Sequence, residues 1–313
     1  MANYQRIMQL RPEMADFFQN REQIGYRGDV LAYRAKTSTD SFSIDSSGFR
    51  HSMFGGKTFS VAECRQSSRY GIVLGASNLF GFGVAGNENC MPSLLAERFG
   101  FPFANAAMPG ANSRNLNSLL VGLLASAPKP PAVVIHSSGG DLASFCESSL
   151  ADPIFGSPNR YQFKSLKDSG LGPDPDQNFP RVLTFTALWT SAMASLCRVY
   201  GTDLVLIHQS TFFEKTKPNA FELECALGEP AHPKQERQFA NHRKYNEPFY
   251  LKRKAIADHL QIPLAGWAMT DQLGFLDEFH CDRDGIRLMS EAVGDKVEPL
   301  LQREKSSGRK TAK

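Results

Sequence analysis

Five short apolar runs, rich in β-branched residues, recur along this chain of 313 residues and limit its possible folds. They are Tyr70–Leu74, Phe101–Ala104, Ala132–Ile135, Leu204–Ile207 and Ile262–Ala265. Their separations are those of βαβ units, about 30 residues or more. Continuous apolar strands of this kind are typical of a parallel sheet that helices cover on both faces.

Helical patterns lie between these runs. Pro92–Phe99 has a proline in its first turn, and Asn115–Ala127 is rich in leucine. Two further helices are predicted, one near residues 180–200 and one at the end of the domain, each with one apolar face. The faces are Leu188, Ala192, Leu196 and Val199, and then Ile286, Met289, Val293, Val297 and Leu300. The chain is therefore predicted to form a three-layer α/β/α sandwich with a mainly parallel sheet.

The alternation of strands and helices predicts a domain over residues 70–301. Residues 1–69 are polar and rich in Ser, Arg and Tyr, which predicts an appendage packed on this domain, with an early helix and short extended pieces. Residues 302–313 are predicted to be a disordered basic tail. Residues 165–178, dense in Gly, Pro and Asp, are interpreted as a long loop, and residues 212–233 as an irregular insertion.

Composition excludes several classes of protein. A hydrophobic content of 42% excludes a disordered chain, and a net charge of +3 is too small for an electrostatic nucleic-acid binder. The tail carries +4, so the body is nearly neutral. The six cysteines form no CxxC pair and are predicted to be reduced, mostly buried thiols. Without a signal-peptide pattern, and with Leu119–Ala127 too short for a membrane span, a cytoplasmic protein is expected. The oligomeric state stays open.

Small and polar residues follow the predicted strands, at the edge where open parallel sheets bind ligands. The strand ends lead into Gly75-Ala76-Ser77-Asn78, then Gly110, then Ser137-Ser138-Gly139-Gly140-Asp141, and finally Asp277 and His280. A serine nucleophile needs a neighbouring base, and the base needs an acid that orients it. Asp277 and His280, three residues apart at the start of a helix, are predicted to share one side and pair. This set of residues suits acyl transfer.

Several other residues offer alternatives. Glu229-x-x-His232 repeats the acid-histidine spacing but lies in the Pro-rich insertion, so it is not preferred. Cys281 follows the preferred histidine and is predicted to be a buried thiol, because neighbours on a helix point apart. His136 and His208 each end a strand; a role in the site and simple hydrogen bonding at the sheet edge both stay open.

A literal GxGxxG occurs at Gly81-Phe82-Gly83-Val84-Ala85-Gly86. In a dinucleotide site the first glycine closes the strand, and an acid ends the second strand. In this chain the glycines begin six residues beyond Gly75, and the second strand ends at Asn105. A nucleotide site is therefore not favoured, and no cofactor or metal is expected.

The four blocks in order resemble the SGNH, or GDSL, hydrolase superfamily over residues 70–301. They are Gly-x-Ser, Asn-x-x-x-x-Gly, Gly-x-Asp-Leu and Asp-x-x-His. The resemblance implies a flavodoxin-like sheet, Ser77 as nucleophile, His280 as base and Asp277 as its orienting partner. It also implies an oxyanion hole that uses the backbone N–H groups of Ser77 and Gly110. Enzymes of the family hydrolyse carboxylic esters, including acetyl groups on sugars, lipids and thioesters, without a cofactor.

Two positions depart from the family pattern. Ala76 replaces the acid that usually precedes the nucleophile, and Gly140 replaces the Asn that supplies a third oxyanion donor, although Asp141 is retained. Losing one such donor typically costs about a hundred- to a thousandfold in rate. The candidate substitutes are Asn78, Asn112, Ser138 and the Gly140 N–H.

The sequence thus predicts a serine esterase that acts on a small-molecule or glycan ester, with an acetyl group on a carbohydrate as the expected substrate. The segment Gly48-Phe49-Arg50, with Asp45 upstream, is also similar to the leader of some bacterial members linked to polysaccharide chemistry. Two alternatives stay open. The missing Asn makes a non-catalytic domain that binds a glycan or acyl ligand a credible rival, and a sugar hydroxyl in place of water would make the same site an O-acyltransferase.

Overall fold

The structure is a computed structural model that describes residues 8–9, 11–27, 30–137, 140–142, 175–227 and 233–308. Its strands are β1 Ile24–Arg27, β2 Val30–Tyr33, β3 Ser52–Phe54, β4 Lys57–Phe59, β5 Gly71–Leu74, β6 Phe103–Asn105, β7 Val133–Ser137, β8 Asp203–Ile207 and β9 Leu264–Ala265. Its α-helices are α1 Ala15–Gln19, α2 Val61–Gln66, α3 Ser77–Phe80, α4 Met91–Phe99, α5 Ser113–Ala125, α6 Pro175–Val199, α7 Ala220–Leu227, α8 Pro233–Leu260 and α9 Arg283–Gly308.

One five-stranded sheet forms the centre of the fold, in the order β6-β5-β7-β8-β9. Every neighbouring pair in it is parallel. Numbered in chain order, its strands run 2-1-3-4-5, which is the flavodoxin-like order. Each of the five apolar runs overlaps one of these strands. The predicted three-layer α/β/α sandwich with a mainly parallel, flavodoxin-like sheet is confirmed.

Alternate residues along the strands enter two separate cores. On one face Val73, Ile135 and Val205 pack with apolar residues of α4 and α9. On the other face Ile72 and Val134 pack with residues of α2, α5 and α6. Because both faces are buried, the strands are apolar at successive positions, and polar groups collect where the strands end.

The N-terminal segment, defined as residues 11–69, packs on this sandwich. It contains α1, α2 and two antiparallel hairpins, β1-β2 and β3-β4, which is more regular structure than its polar sequence predicts. Its contribution to the core on the α4–α9 side is Met14, Phe17, Tyr33, Phe42 and Ile44. These apolar residues are scattered among polar ones, so no period of 2 or 3.6 residues announces them.

The buried face of α6 differs from the predicted one. Leu188 and Val199 are 55% and 81% exposed, whereas Met193 and Cys197 are buried. Apolar residues surround much of this helix, so periodicity alone does not select the face that packs. The predicted face of α9 is the buried one, from Ile286 through Leu300.

Other predicted boundaries change as well. Residues 165–174 of the predicted loop lie outside the described residues, and residues 175–178 begin α6. The insertion at 212–233 contains a 3-10 turn, Phe212–Glu214, and the helix α7. Helix α8 was not predicted, because charged residues obscure its few buried apolar positions. Residues 302–308 continue α9 rather than forming a disordered tail, since the helical pattern extends past the buried face.

Two sequence expectations concern thiols and membranes. Cys64, Cys90, Cys197, Cys225 and Cys281 are free and buried, while Cys146 lies outside the described residues. One stretch of α6, Phe179–Val199, is long and apolar enough to cross a membrane, a feature that the sequence reading missed. It is weak evidence for a span, because core helices of soluble proteins pass the same test, and 39% of this stretch is buried.

Two buried histidines predict how stability depends on pH. Burial lowers the pKa of His136 to about 3 and that of His242 to about 3. Both are then neutral in the folded protein, whereas in the unfolded chain they titrate near about pH 6.5. Below that pH the unfolded state binds more protons, so the free energy of unfolding falls by about 1.4 kcal/mol per pH unit for each histidine.

Urea unfolding between pH 7 and pH 5 measures this slope. We expect His136→Leu and His242→Leu each to reduce the slope by one proton, whereas His259→Gln, on the exposed side of α8, keeps it. An unchanged slope in both leucine variants would contradict the assignment.

Candidate active site

The chain leaves β5 through a turn that requires small residues. A Cβ atom on Gly75 would lie 2.6 Å from the side chain of Leu79, so a larger residue would displace the first turn of α3. Ala76 is buried just before the helix, and Ser77 is the first helical residue. The position at the carboxyl end of a central parallel strand is where this fold binds ligands. The structure therefore presents Ser77 at the edge that the sequence predicts.

A tight loop carries the predicted acid and base. Phe275 and Cys281 form an isolated antiparallel bridge, and Leu276 donates its N–H to the His280 carbonyl at 2.8 Å. Asp282 follows, and its carboxylate accepts the Gly285 N–H at 2.8 Å at the start of α9. Asp277 and His280 thus lie in a closed loop just before α9, the helix entry at which the sequence predicts them.

Asp277 organises this loop through its carboxylate. One oxygen, Oδ1, accepts the backbone N–H groups of Phe279 and His280, each at 2.8 Å. The other, Oδ2, lies 2.7 Å from His280 Nδ1. The spacing Asp-x-x-His therefore works because the acid folds its own loop around the histidine.

Ser77, His280 and Asp277 form one continuous hydrogen-bonded chain. His280 Nε2 lies 2.7 Å from Ser77 Oγ, across 203 positions of sequence. A carboxylate only accepts hydrogen bonds, so Nδ1 carries the imidazole proton and Nε2 is left to accept the serine O–H. The His280 and Asp277 side chains are 13% and 6% exposed. This arrangement has the geometry of a nucleophile, a base and an orienting acid.

The charge of Asp277 is stabilised in place. Burial opposes ionisation of this carboxyl group, but the His280 imidazole and the two N–H donors outweigh that cost and hold its pKa below the usual value. Asp277 is accordingly an anion at neutral pH, able to orient the imidazole and to stabilise its protonated form.

The second block lies against the end of β5. Met108 donates its N–H to the Gly75 carbonyl at 2.8 Å, and Gly110 has a φ of 67°, a left-handed conformation that favours glycine. Among the hydrogen bonds of the described residues, none uses the N–H of Ser77 or of Gly110.

The third block is tied to the second by Asp141. Its buried carboxylate accepts the Ser113 N–H at 2.7 Å, the Ser113 hydroxyl at 2.6 Å and the Thr186 hydroxyl at 2.8 Å. Ser113 is the first residue of α5, so this carboxylate joins the start of that helix to the helical residues 140–142. The retained Asp141 is a structural link between blocks.

Gly140 has no room for a side chain. A Cβ atom at this position would collide with the backbone carbonyl oxygen of Ala111. The Asn of the family pattern therefore does not fit this backbone. Of the substitutes, Asn78 accepts the Cys281 N–H at 3.3 Å, and Asn112 caps α5 by accepting the Asn115 N–H. Ser138 lies outside the described residues.

The alternative residues have separate environments. His136 is fully buried, and His208 pairs with Glu214 at 2.9 Å. Cys281 is buried, and that burial raises the pKa of its thiol, so it is a poor thiolate nucleophile. Glu229 and His232 lie outside the described residues. Within the described ranges, no group of three or more His, Cys, Asp or Glu residues could hold a metal ion.

The GxGxxG pattern forms the loop after α3. Gly81 and Gly83 have φ angles of 86° and 84° and face Arg50 and Met14 of the N-terminal segment. Between them, Phe82 stacks on the His280 imidazole with ring centroids 4.7 Å apart. Sequence reasoning missed this contact, since an aromatic residue in a glycine-rich loop carries no signal of its partner.

Comparisons with known proteins return matches among solved structures. No protein-family model matches the chain, and no curated protein sequence matches significantly. A carbohydrate acetylesterase family member from Sinorhizobium meliloti is 12% identical, with a TM-score of 0.47, covering 75% of this chain and 99% of its own. A member of the lipolytic protein G-D-S-L family from Veillonella parvula is 13% identical, with a TM-score of 0.43, covering 72% and 96%.

A third structure, phospholipase A1 from Streptomyces albidoflavus, is 13% identical with a TM-score of 0.45, covering 76% of this chain and 99% of its own. The structural comparison thus retrieves lipolytic and esterase proteins, including members of the family that the four sequence blocks resemble. The activities in these descriptions belong to those proteins and are not evidence for the activity of this chain.

The contact at Gly140 predicts that the family's Asn cannot be restored. We expect Gly140→Ala and Gly140→Asn to lower the free energy of unfolding by about 1–3 kcal/mol, because the new side chain overpacks against Ala111. Gly122→Ala is the control: it lies in α5 with open space around it, and alanine there adds helix propensity of up to about 1 kcal/mol. Urea unfolding measures all three, and a Gly140→Asn variant as stable as the wild type would contradict the contact.

Proposed function

We propose that this protein is a serine esterase that hydrolyses a small acyl ester, with an acetyl group on a carbohydrate as the expected substrate. The observation that carries the proposal is the unbroken chain from Ser77 Oγ through the His280 imidazole to the Asp277 carboxylate, at 2.7 Å for each contact. Its three members come from two distant parts of the chain, and the acid is held ionised by its own loop. The nearly neutral body suits an uncharged ester better than a polyanion.

In the proposed mechanism, Ser77 Oγ attacks the ester carbonyl carbon while His280 Nε2 takes the hydroxyl proton. The imidazolium that forms is stabilised by Asp277, then gives its proton to the leaving alkoxide as the C–O bond breaks. Water next attacks the acyl-serine while His280 takes a proton from it, and His280 then returns that proton to Ser77 Oγ as the acyl C–Oγ bond breaks, which releases the carboxylic acid and regenerates Ser77. No step requires a metal or an organic cofactor.

The tetrahedral intermediates carry a negative oxygen that needs hydrogen-bond donors. The proposal assigns this role to the N–H groups of Ser77 and Gly110, which have no other acceptor among the described residues. Each well-placed donor contributes about a hundred- to a thousandfold in rate. With Gly140 in place of the family's Asn, only a backbone N–H is available from the third block, so we expect a slower enzyme than one with three donors.

Gly140, in place of the family's Asn, favours a second candidate function. A domain that binds a glycan or acyl ligand without turnover would tolerate the loss of a side-chain donor. An O-acyltransferase would keep the entire site and replace water with a sugar hydroxyl. These candidates differ in whether Ser77 is acylated and in what accepts the acyl group.

Hydrolysis of p-nitrophenyl acetate tests the proposed nucleophile and base. We expect Ser77→Ala and His280→Ala each to lower kcat by about a hundred-thousandfold or more, and Asp277→Asn by about ten-thousandfold because the histidine tautomer is no longer fixed. Ser118→Ala and His259→Ala, at exposed positions on α5 and α8, are matched controls expected to keep wild-type rates.

Equal rates in the wild type and the Ser77 and His280 variants would overturn the esterase proposal and favour the binding domain. A mass increase on Ser77 after treatment with phenylmethylsulfonyl fluoride would support an activated nucleophile independently of the substrate. Faster release of p-nitrophenol when a sugar alcohol is added, with the acyl group recovered on the sugar, would favour the transferase.

A further inference from the structure

We propose that the N-terminal segment is part of the catalytic apparatus, because it holds Phe82 against the His280 imidazole. Phe82 is then a positioning residue that orients the base and stabilises its protonated form. This inference rests on the proposed function and assigns a role to residues that lie outside the four sequence blocks.

Phe82 is joined to both members of the Ser77–His280 pair. Its ring lies 4.7 Å from the imidazole centroid at an interplanar angle of 32°, and its backbone N–H donates to the Ser77 carbonyl at 3.0 Å. An aromatic face within about 6 Å of a cation attracts it. The imidazole becomes a cation when it takes the serine proton, so the contact strengthens as the reaction proceeds.

The N-terminal segment packs against Phe82 and the loop that carries it. Phe17 and Phe18 of α1 contact its ring at centroid distances of 4.9 and 5.5 Å. Met14 packs against Gly83, the next residue in the loop, where any side chain would collide with its sulfur. Phe82 is 7% exposed as a result. The α1 helix thus forms the wall that keeps the Phe82 ring on the histidine.

Arg50 fixes the backbone of the same loop. Its guanidinium donates to the carbonyl oxygens of Gly81 at 2.7 Å, Val84 at 2.8 Å and Gly86 at 2.9 Å. Its Nε donates to Asn87 Oδ1 at 3.2 Å. These acceptors lie on both sides of Phe82, so one side chain holds the entire turn that presents the ring.

Arg50 is a buried cation, so holding this turn through its guanidinium carries a free-energy cost. The side chain is 0% exposed, and burial lowers the pKa of its guanidinium. In the described part of the chain no carboxylate lies within salt-bridge distance of it, so carbonyl oxygens and the faces of Phe17, Phe42 and Phe80 balance the charge. Filling a core would not require a buried cation.

Other titratable groups interact with the residues on either side of His280. Asp277 lies on its own loop, Cys225 of α7 interacts electrostatically with Asp277, and Asp282 and Lys215 act on the neighbouring Cys281 thiol. Substitutions at Phe82 change none of these groups. A shift in the titration of His280 between such variants therefore reports the aromatic ring.

The test compares Phe82→Leu, which keeps an apolar side chain, with Phe82→Tyr, which keeps the aromatic face. The control is Phe101→Leu: Phe101 is 6% exposed and stacks on Phe103 at 5.0 Å, away from the site. Profiles of kcat/KM against pH for p-nitrophenyl acetate are recorded for each. Because the base must be neutral, the acidic limb of the profile reports the pKa of His280 in the free enzyme.

We expect Phe82→Leu to move the acidic limb to lower pH by about 0.5 to 1 unit, because the imidazolium loses its aromatic neighbour. The plateau of kcat should fall about three- to thirtyfold with little change in KM. Phe82→Tyr and Phe101→Leu should keep the wild-type limb. An unmoved limb in Phe82→Leu, or an equal change in Phe101→Leu, would overturn the proposal.

The support from the N-terminal segment is tested with Phe17→Leu and Arg50→Lys. Both should move the acidic limb to lower pH by less than Phe82→Leu does, since the Phe82 ring is retained but less constrained. If Arg50→Lys does not fold, Phe17→Leu alone decides: a wild-type profile in that variant removes the segment from the proposal.

A readout without turnover separates this inference from the proposed function. NMR titration of the His280 ring, assigned by comparison with His280→Gln, is recorded for the wild type and Phe82→Leu. A lower pKa in Phe82→Leu together with absent esterase activity would sink the esterase proposal and retain the contact. Esterase activity with identical His280 titrations in both proteins would retain the esterase proposal and overturn the role of Phe82.

Discussion

Helices cover both faces of the five-stranded parallel sheet, so its strands carry apolar side chains on each side and polar chemistry is confined to the edge where they end. Ser77 follows the central strand β5 at this edge. His280 reaches the same edge from 203 positions further along the chain. These two side chains meet because the loops that carry them both reach this edge of the sheet.

The Asp277 carboxylate fixes the geometry of the contact between Ser77 and His280. One oxygen folds the loop by accepting two backbone N–H groups, and the other fixes the histidine tautomer. The same contacts keep the carboxyl group ionised although it is buried. A single acid therefore shapes the loop and orients the His280 imidazole.

A second buried charge, the Arg50 guanidinium, holds the loop after α3 through its carbonyl oxygens. Between these anchors Phe82 lies on the imidazole. The proposed site thus has an anion that shapes the histidine loop and a cation that shapes the loop after α3. The two loops meet where the Phe82 ring contacts the His280 imidazole.

The sequence by itself determined the sandwich and the residues that collect at its edge, because burial of both sheet faces leaves a local pattern of apolar runs with polar ends. The spacing of Asp277 and His280 likewise follows from a short loop. Only the tertiary structure decided which face of α6 packs, why Gly140 admits no side chain and which ring lies on His280. Those outcomes depend on contacts between residues far apart in the chain, and a local sequence pattern does not encode such contacts.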